Sequence, residues 1–249
     1  MPDPRFIPPV AGLLQGRVIA VTGASDGIGR AVAIAAAQHG AQVILIGRSA
    51  RKLEAVRNAI VADHGEVATI AVLDLEKALA GDYDRLAAAV LEHYGRLDGL
   101  VHCAAILGAL TPIEQYDVPQ WCRVLHINVT AAFVLTQVLL PALRLSADAS
   151  VIFTSSGVGR QGRAYWGAYA VSKFAVEGLS QVLAAEMSGN TTVRVNVLNP
   201  GPVRTLMRRQ AFPSEDADAL TTPQVVAEQY LWLLGPQTRD LTGQSIDCQ

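Results

Sequence analysis

The chain has 249 residues, 51% of them hydrophobic, and a formal charge of −2. That is enough to bury one substantial core, with no basic field to recruit nucleic acid or an anionic membrane. Three cysteines, Cys103, Cys122 and Cys248, make no C-x-x-C pair, and the five histidines lack metal-ligand spacing. No metal is expected, and the thiols suit a reducing, cytoplasmic compartment.

Residues 1–13 carry several prolines and the charges Asp3 and Arg5 but no apolar signal core, and read as a flexible arm before a single α/β domain over residues 14–249. The first strand, Val18–Thr22, runs into Gly23-Ala24-Ser25-Asp26-Gly27-Ile28-Gly29, which opens an alanine-rich stretch reaching His39. Strand, glycine-rich turn and helix start come in the order of a dinucleotide site. Gly23 permits the tight turn, Gly27 lets backbone approach a pyrophosphate, Gly29 lets the helix pack closely, and the helix N-terminus faces the phosphates. The spacing is G-x-x-x-G-x-G.

The second strand, Gln42–Gly47, ends where a carboxylate would accept bonds from ribose hydroxyls and repel a 2′-phosphate. Arg48 and Ser49 follow instead. The guanidinium fork of Arg48, with the Ser25 hydroxyl, favours NADP(H) over NAD(H). The alternative is a surface arginine starting the helix that runs from Ser49 toward His64. Further strands are expected near Val67–Leu73, Gly99–Cys103, Ser150–Ser155, Thr192–Leu198 and Gln244–Asp247, with a helix over Asp82–Tyr94. Strands alternating with helices predict a doubly wound parallel sheet of about seven strands, with helices on both faces and ligands at the strands' carboxyl ends. Val129 to Leu145 is apolar but broken by Thr130, Thr136, Gln137, Pro141 and Arg144, and reads as a buried interface helix, not a membrane span. Arg204 to Thr222 is a long stretch of weak pattern.

Tyr169 and Lys173 are four residues apart, and Ser156 lies thirteen before the tyrosine. On a helix that spacing puts phenol and ammonium on one face, where the cation favours a phenolate. Tyr165 has no lysine at this spacing, and Ser155 alternates to the other face of its strand.

With the glycine-rich turn, these residues resemble the short-chain dehydrogenase/reductase family across essentially the whole chain from about Leu14. Thr22 to Gly29 matches the cofactor motif, Asp74-Leu75 the acidic step that contacts adenine, and Asn128, Ser156, Tyr169 and Lys173 the catalytic tetrad. Pro200-Gly201-Pro202-Val203-Arg204-Thr205 matches the segment that holds the nicotinamide carboxamide. Within the family, Gly159 to Arg163 and Ala211 to Asp216 look like a bacterial branch of mostly unassigned substrate. The chain departs from the family's Asn-Asn-Ala-Gly with His102-Cys103-Ala104-Ala105. The final alanine narrows the space beside the cofactor, the missing second Asn removes a bracing amide, and Cys103 reads as a small buried filler.

The resemblance implies a Rossmann-type fold and an oxidoreductase interconverting a carbonyl and an alcohol of a small molecule. In it, Tyr169 exchanges a proton with the substrate oxygen, Ser156 hydrogen-bonds that oxygen, Lys173 lowers the tyrosine pKa and holds the nicotinamide ribose, and Asn128 holds a water leading to solvent. The cofactor contacts it implies are Gly23, Ser25, Gly27, Ile28, Gly29, Arg48, Ser49, Asp74, Leu75, Ala104, Ala105, Pro200, Gly201, Val203 and Thr205, besides Tyr169 and Lys173. It makes residues 204–222 the substrate lid and predicts a homodimer or homotetramer through the apolar stretches Val118–Leu145 and Gly167–Met187. A cofactor-binding scaffold without turnover is the alternative, supported only by the altered His102 stretch. Arg160 and Arg163 either meet an anionic substrate or lie in a subunit contact.

Overall fold

The computed structural model describes residues 10–189 and 191–249. The first nine residues of the expected arm lie outside the described residues. Its last part is held down: the Leu13 N–H donates to the Val10 carbonyl at 3.1 Å, that carbonyl also meets His39 Nδ1 at 2.9 Å, and Leu14 is fully buried.

Seven parallel strands form one sheet in the order β3-β2-β1-β4-β5-β6-β7. They are β1 Val18–Thr22, β2 Gln42–Gly47, β3 Ala68–Val72, β4 Gly99–His102, β5 Ala149–Thr154, β6 Val193–Asn199 and β7 Ser245–Asp247. Each differs from its expected span by a residue or less at either end. Helices α1 Gly27–Gln38, α2 Ala50–His64, α3 Ala80–Tyr94, α5 Ala131–Arg144, α6 Gly167–Met187 and α8 Pro223–Leu234 cover the two faces. Because side chains alternate along a strand, Ile19, Val21, Val43 and Leu45 pack with α1, α2 and α8, whereas Val18, Ala20, Ile44 and Ile46 pack with α3, α5 and α6. Burial on both faces explains why the strands are continuous apolar runs.

The expected apolar helix near Val118–Leu145 is two helices joined by a wide turn. Helix α4, Val118–Leu125, enters a π turn at His126–Thr130 before α5. By length and composition this stretch could span a membrane; however, Leu135, Leu139 and Leu143 of α5 face the core with β5 and α3. The weak-pattern stretch holds a short helix, α7 Leu206–Ala211, capped by the Thr205 side chain. Its base is closed where Val203 pairs with Thr221 and the Arg204 N–H donates to the Thr221 carbonyl at 2.9 Å.

Candidate active site

Strand order reverses between β1 and β4, so their carboxyl ends open a crevice. Thr22 holds it together: its Oγ1 accepts the Cys103 and Ala104 N–H groups, each at 3.1 Å. Gly23 follows at φ +66°, and a Cβ there would stand 3.0 Å from the Ala104 backbone; one at Gly29 would stand 2.5 Å from the Gly23 carbonyl. Both positions therefore exclude any side chain. Asp26 caps α1 through the Gly27 N–H at 2.8 Å. The Ile28 and Gly29 N–H groups have no partner among the described residues. Free amides on a glycine-rich turn at a helix start fit a pyrophosphate.

On the β5 side, Ser156 begins the turn after the strand, and its hydroxyl lies near enough to Tyr169, on the first turn of α6, to favour the phenolate. Lys173, one turn on, has Nζ 5.5 Å from the tyrosine ring centre and donates to the Thr154 carbonyl at 2.6 Å. Tyr169 and Lys173 are both buried. Burial pushes Tyr169 up to about 12, partly offset by the nearby Ser156 hydroxyl. Burial also pulls Lys173 down to about 8, against the pull of Cys103 and Glu177. In the chain alone, desolvation sets the direction of the Tyr169 shift.

Asn128 sits in the π turn, and its amide is spoken for. Oδ1 accepts the Ile106 N–H at 2.8 Å, and Nδ2 donates to the Ile106 carbonyl and to Ser172 Oγ, both at 3.0 Å. The side chain therefore ties β4's exit loop to α6, instead of offering its amide hydrogens to a water. His102 replaces an expected amide with a different brace. Its Nε2 lies 2.8 Å from Thr136 Oγ1, and since that hydroxyl donates to the Ala132 carbonyl, Nε2 carries the hydrogen. The ring stacks on Phe153 at 4.8 Å, and burial holds its pKa down at about 3. Cys103 Sγ lies 3.5 Å from Thr154 Oγ1, which also meets the Tyr230 hydroxyl at 2.9 Å. Burial lifts the thiol to about 11, in keeping with a filler.

At the outer rim, Arg48 is exposed with no acid partner among the described residues, while Ser49 caps α2 through the Lys52 N–H. The Asp74 carboxylate accepts the Glu76 N–H at 3.1 Å. Pro200 and Pro202 carbonyls are both bonded by Gln249 Nε2, which fixes the turn before Thr205. The two arginines before Trp166 separate. Arg160 is bound by Glu177, Asp247 and Ser245, so it is not free for an anionic substrate. Arg163 lies over the rings of Trp166 and Phe212, at 5.9 and 5.4 Å. Trp166 in turn is 5.8 Å from the Tyr169 ring.

Comparison with known proteins fits this geometry. Residues 17–216 match the family model for short chain dehydrogenases. The chain belongs to this family. It is 47% identical over 241 residues to the Escherichia coli K12 uncharacterized oxidoreductase YciK, covering 97% of this chain and 95% of that protein. A short chain dehydrogenase from Salmonella enterica serovar Typhi superposes with a TM-score of 0.96 at 48% identity, covering 98% of this chain and all of that one. A structure from Shigella flexneri, complexed with NADP, gives a TM-score of 0.94 at 48% identity over 96% of this chain and all of that one.

In this short-chain dehydrogenase the crevice gathers Gly23, Gly27 and Gly29 from one side and Ser156, Tyr169 and Lys173 from the other. Sequence reasoning missed the Thr136 brace of His102 and the Thr154–Tyr230 hydroxyl pair under Cys103. Thr136 interrupting an apolar helix was the available signal, because a buried hydroxyl needs a partner.

Proposed function

We propose that the protein is an NADP(H)-dependent reductase or dehydrogenase that interconverts a small-molecule carbonyl and its alcohol, with Tyr169 as acid/base. The observation that carries this reading is the buried Tyr169 with Ser156 beside it and Lys173 one helical turn away, all at the carboxyl end of the sheet. Two hydroxyls side by side can both bond one substrate oxygen, and the tyrosine can give or take its proton. Lys173 already holds a hydrogen at the Thr154 carbonyl, so it is positioned by its strand before any ligand arrives. Asn128 acts as a positioning residue through Ile106 and Ser172.

The cofactor, when bound, supplies or accepts the hydride. Its pyrophosphate would be held by the amides of Ile28 and Gly29, its ribose by Tyr169 and Lys173, and its carboxamide by the Pro200–Thr205 turn. Asp74 and Leu75 would meet the adenine, and Ala104 and Ala105 the space beside it. Arg48, with Ser25 and Ser49, would meet the 2′-phosphate. The related NADP complex supports that choice. Arg48→Ala should weaken NADPH binding about tenfold and leave NADH unchanged, as measured by fluorescence titration. Equal losses for both cofactors would overturn the assignment.

A screen of ketones, aldehydes and alcohols for NADPH oxidation or NADP reduction tests the activity itself. Turnover of none would favour a cofactor-binding scaffold. We also infer a homodimer or homotetramer in a reducing cytoplasm. Helices α4, α5 and α6 leave Val118, Phe133, Val171, Phe174 and Val182 exposed, and three free thiols suit such a compartment. Light scattering at low micromolar concentration should give two or four copies. A fully active monomer would refute the interface.

A further inference from the structure

The turn that leaves β6 is held by one distant side chain. Gln249 follows β7, and its Nε2 donates to the Pro200 carbonyl at 2.6 Å and to the Pro202 carbonyl at 3.1 Å, while its Oε1 accepts the Thr221 hydroxyl at 3.0 Å. Both amide hydrogens and the amide oxygen are thus in use. Among the described residues no other donor reaches either proline carbonyl. Pro200 and Pro202 have no N–H of their own, so the turn has few backbone bonds with which to hold itself. Gly201 between them has φ +70°, and a Cβ there would stand 2.9 Å from Gln249 Nε2. The amide lies against bare backbone, in space that a side chain would fill.

Two segments meet on that amide. The proline carbonyls belong to the turn running toward Thr205, and Thr221 belongs to the returning leg of the 204–222 stretch, where it pairs with Val203 and its carbonyl accepts the Arg204 N–H at 2.9 Å. The far end of the turn faces the glycine-rich turn, since a Cβ at Gly27 would stand 3.4 Å from Thr205 Cγ2. The near end is tied to β7: the Cys248 N–H donates to the Asn199 carbonyl at 2.9 Å, Asn199 Nδ2 donates to Asp247 at 2.7 Å, and Asn199 Oδ1 accepts the Gly201 N–H at 3.2 Å.

We infer that Gln249 is a positioning residue for the nicotinamide end of the cofactor, fixing the 200–205 turn against the return of the 204–222 stretch. This rests on the reading that the turn holds the carboxamide. Gln249 acts through the turn and not on the cofactor.

Calorimetry with two nucleotides tests it on wild type, Gln249→Ala and Gln249→Glu. Gln244→Ala is the control, because that side chain bonds the Thr242 carbonyl before β7 begins. One nucleotide is NADPH; the other, 2′-phospho-ADP-ribose, keeps the adenine and pyrophosphate but lacks the nicotinamide. Gln249→Ala should weaken NADPH about tenfold and leave the fragment within about twofold. Gln249→Glu keeps an acceptor for Thr221 but turns an oxygen toward two carbonyls, and should lose at least as much. Equal losses for both nucleotides, or no loss of NADPH, would overturn the inference. Gln249 is exposed, so folding should survive its replacement. Hydrogen exchange at the Arg204 amide, without nucleotide, is the second readout: about tenfold faster in Gln249→Ala and unchanged in Gln244→Ala. An unchanged rate in Gln249→Ala also overturns it. Should wild type bind no NADPH, the cofactor reading falls, and exchange at Arg204 alone decides whether Gln249 fixes the turn.

Discussion

The two ends of the sheet bury ionisable groups in opposite ways. At the amino ends of the strands, Asp98 is forked by Arg96 at 3.0 and 3.1 Å and bonded by Ser146 Oγ at 2.6 Å and the Val18 N–H at 2.8 Å. Asp148 there pairs with Arg17 at 2.9 Å and with Arg194, whose remaining hydrogens go to the Leu233 and Gly235 carbonyls. At the carboxyl ends, buried Lys173 makes no ion pair among the described residues and donates to the Thr154 carbonyl, and Tyr169 is buried beside the Ser156 hydroxyl. Where burial is met by ion pairs, the strands are clamped together. At the carboxyl ends burial pushes Tyr169 and Lys173 toward their neutral forms, with no ion pair among the described residues to hold either.

The comparison can be broken most sharply at the carboxyl end. Tyr169→Phe should cut turnover by roughly 10²–10⁴-fold, while melting temperature and cofactor affinity stay near wild type. Retention of activity within tenfold would remove the tyrosine from proton transfer. At the amino end, Asp148→Ala strands two guanidinium groups and should cost about 3–5 kcal/mol in urea unfolding, with little change in the turnover of the folded fraction. The reverse pattern, lost turnover with stability intact, would erase the contrast between the two ends.

His102 sharpens the comparison because it lies near the carboxyl end yet is fully braced. Its folded pKa of about 3 lies below the unfolded value near 6.5, so the unfolded chain takes up more protons as pH falls. The stability it contributes is complete above pH 6.5 and is lost below it, by about 2 kcal/mol at pH 5. Substituting His102→Gln, which can still donate to Thr136, should flatten that acid limb in pH-dependent unfolding. An unchanged slope would assign the loss to other groups.

Local relations along the chain were legible in the sequence, and distant ones were not. Strands buried on both faces announce themselves as apolar runs, and Tyr169 with Lys173 needs only one helical turn to be read. The short helix Leu206–Ala211 escaped because six residues are too few for a helical period to emerge. Arg17 and Asp148 stand 131 residues apart, so their pairing appears only once β1, β4 and β5 are neighbours. For a related reason, spacing reports that a cation is near Tyr169, whereas desolvation depends on what the rest of the fold stacks above it.

The π turn at His126–Thr130 makes this region sensitive to length rather than to identity. Closing i to i+5 instead of i to i+4 houses one surplus residue, and each helical residue is worth about 100° of rotation. Deleting a single residue there would let α4 run straight into α5 and swing one of them by roughly that angle. The Asn128 amide would leave Ile106 and Ser172, and the apolar stripe of α5 would turn off the sheet. Neutral drift can therefore exchange side chains around Asn128, but an insertion or deletion in those five positions would be read by the whole molecule as a change of helical phase.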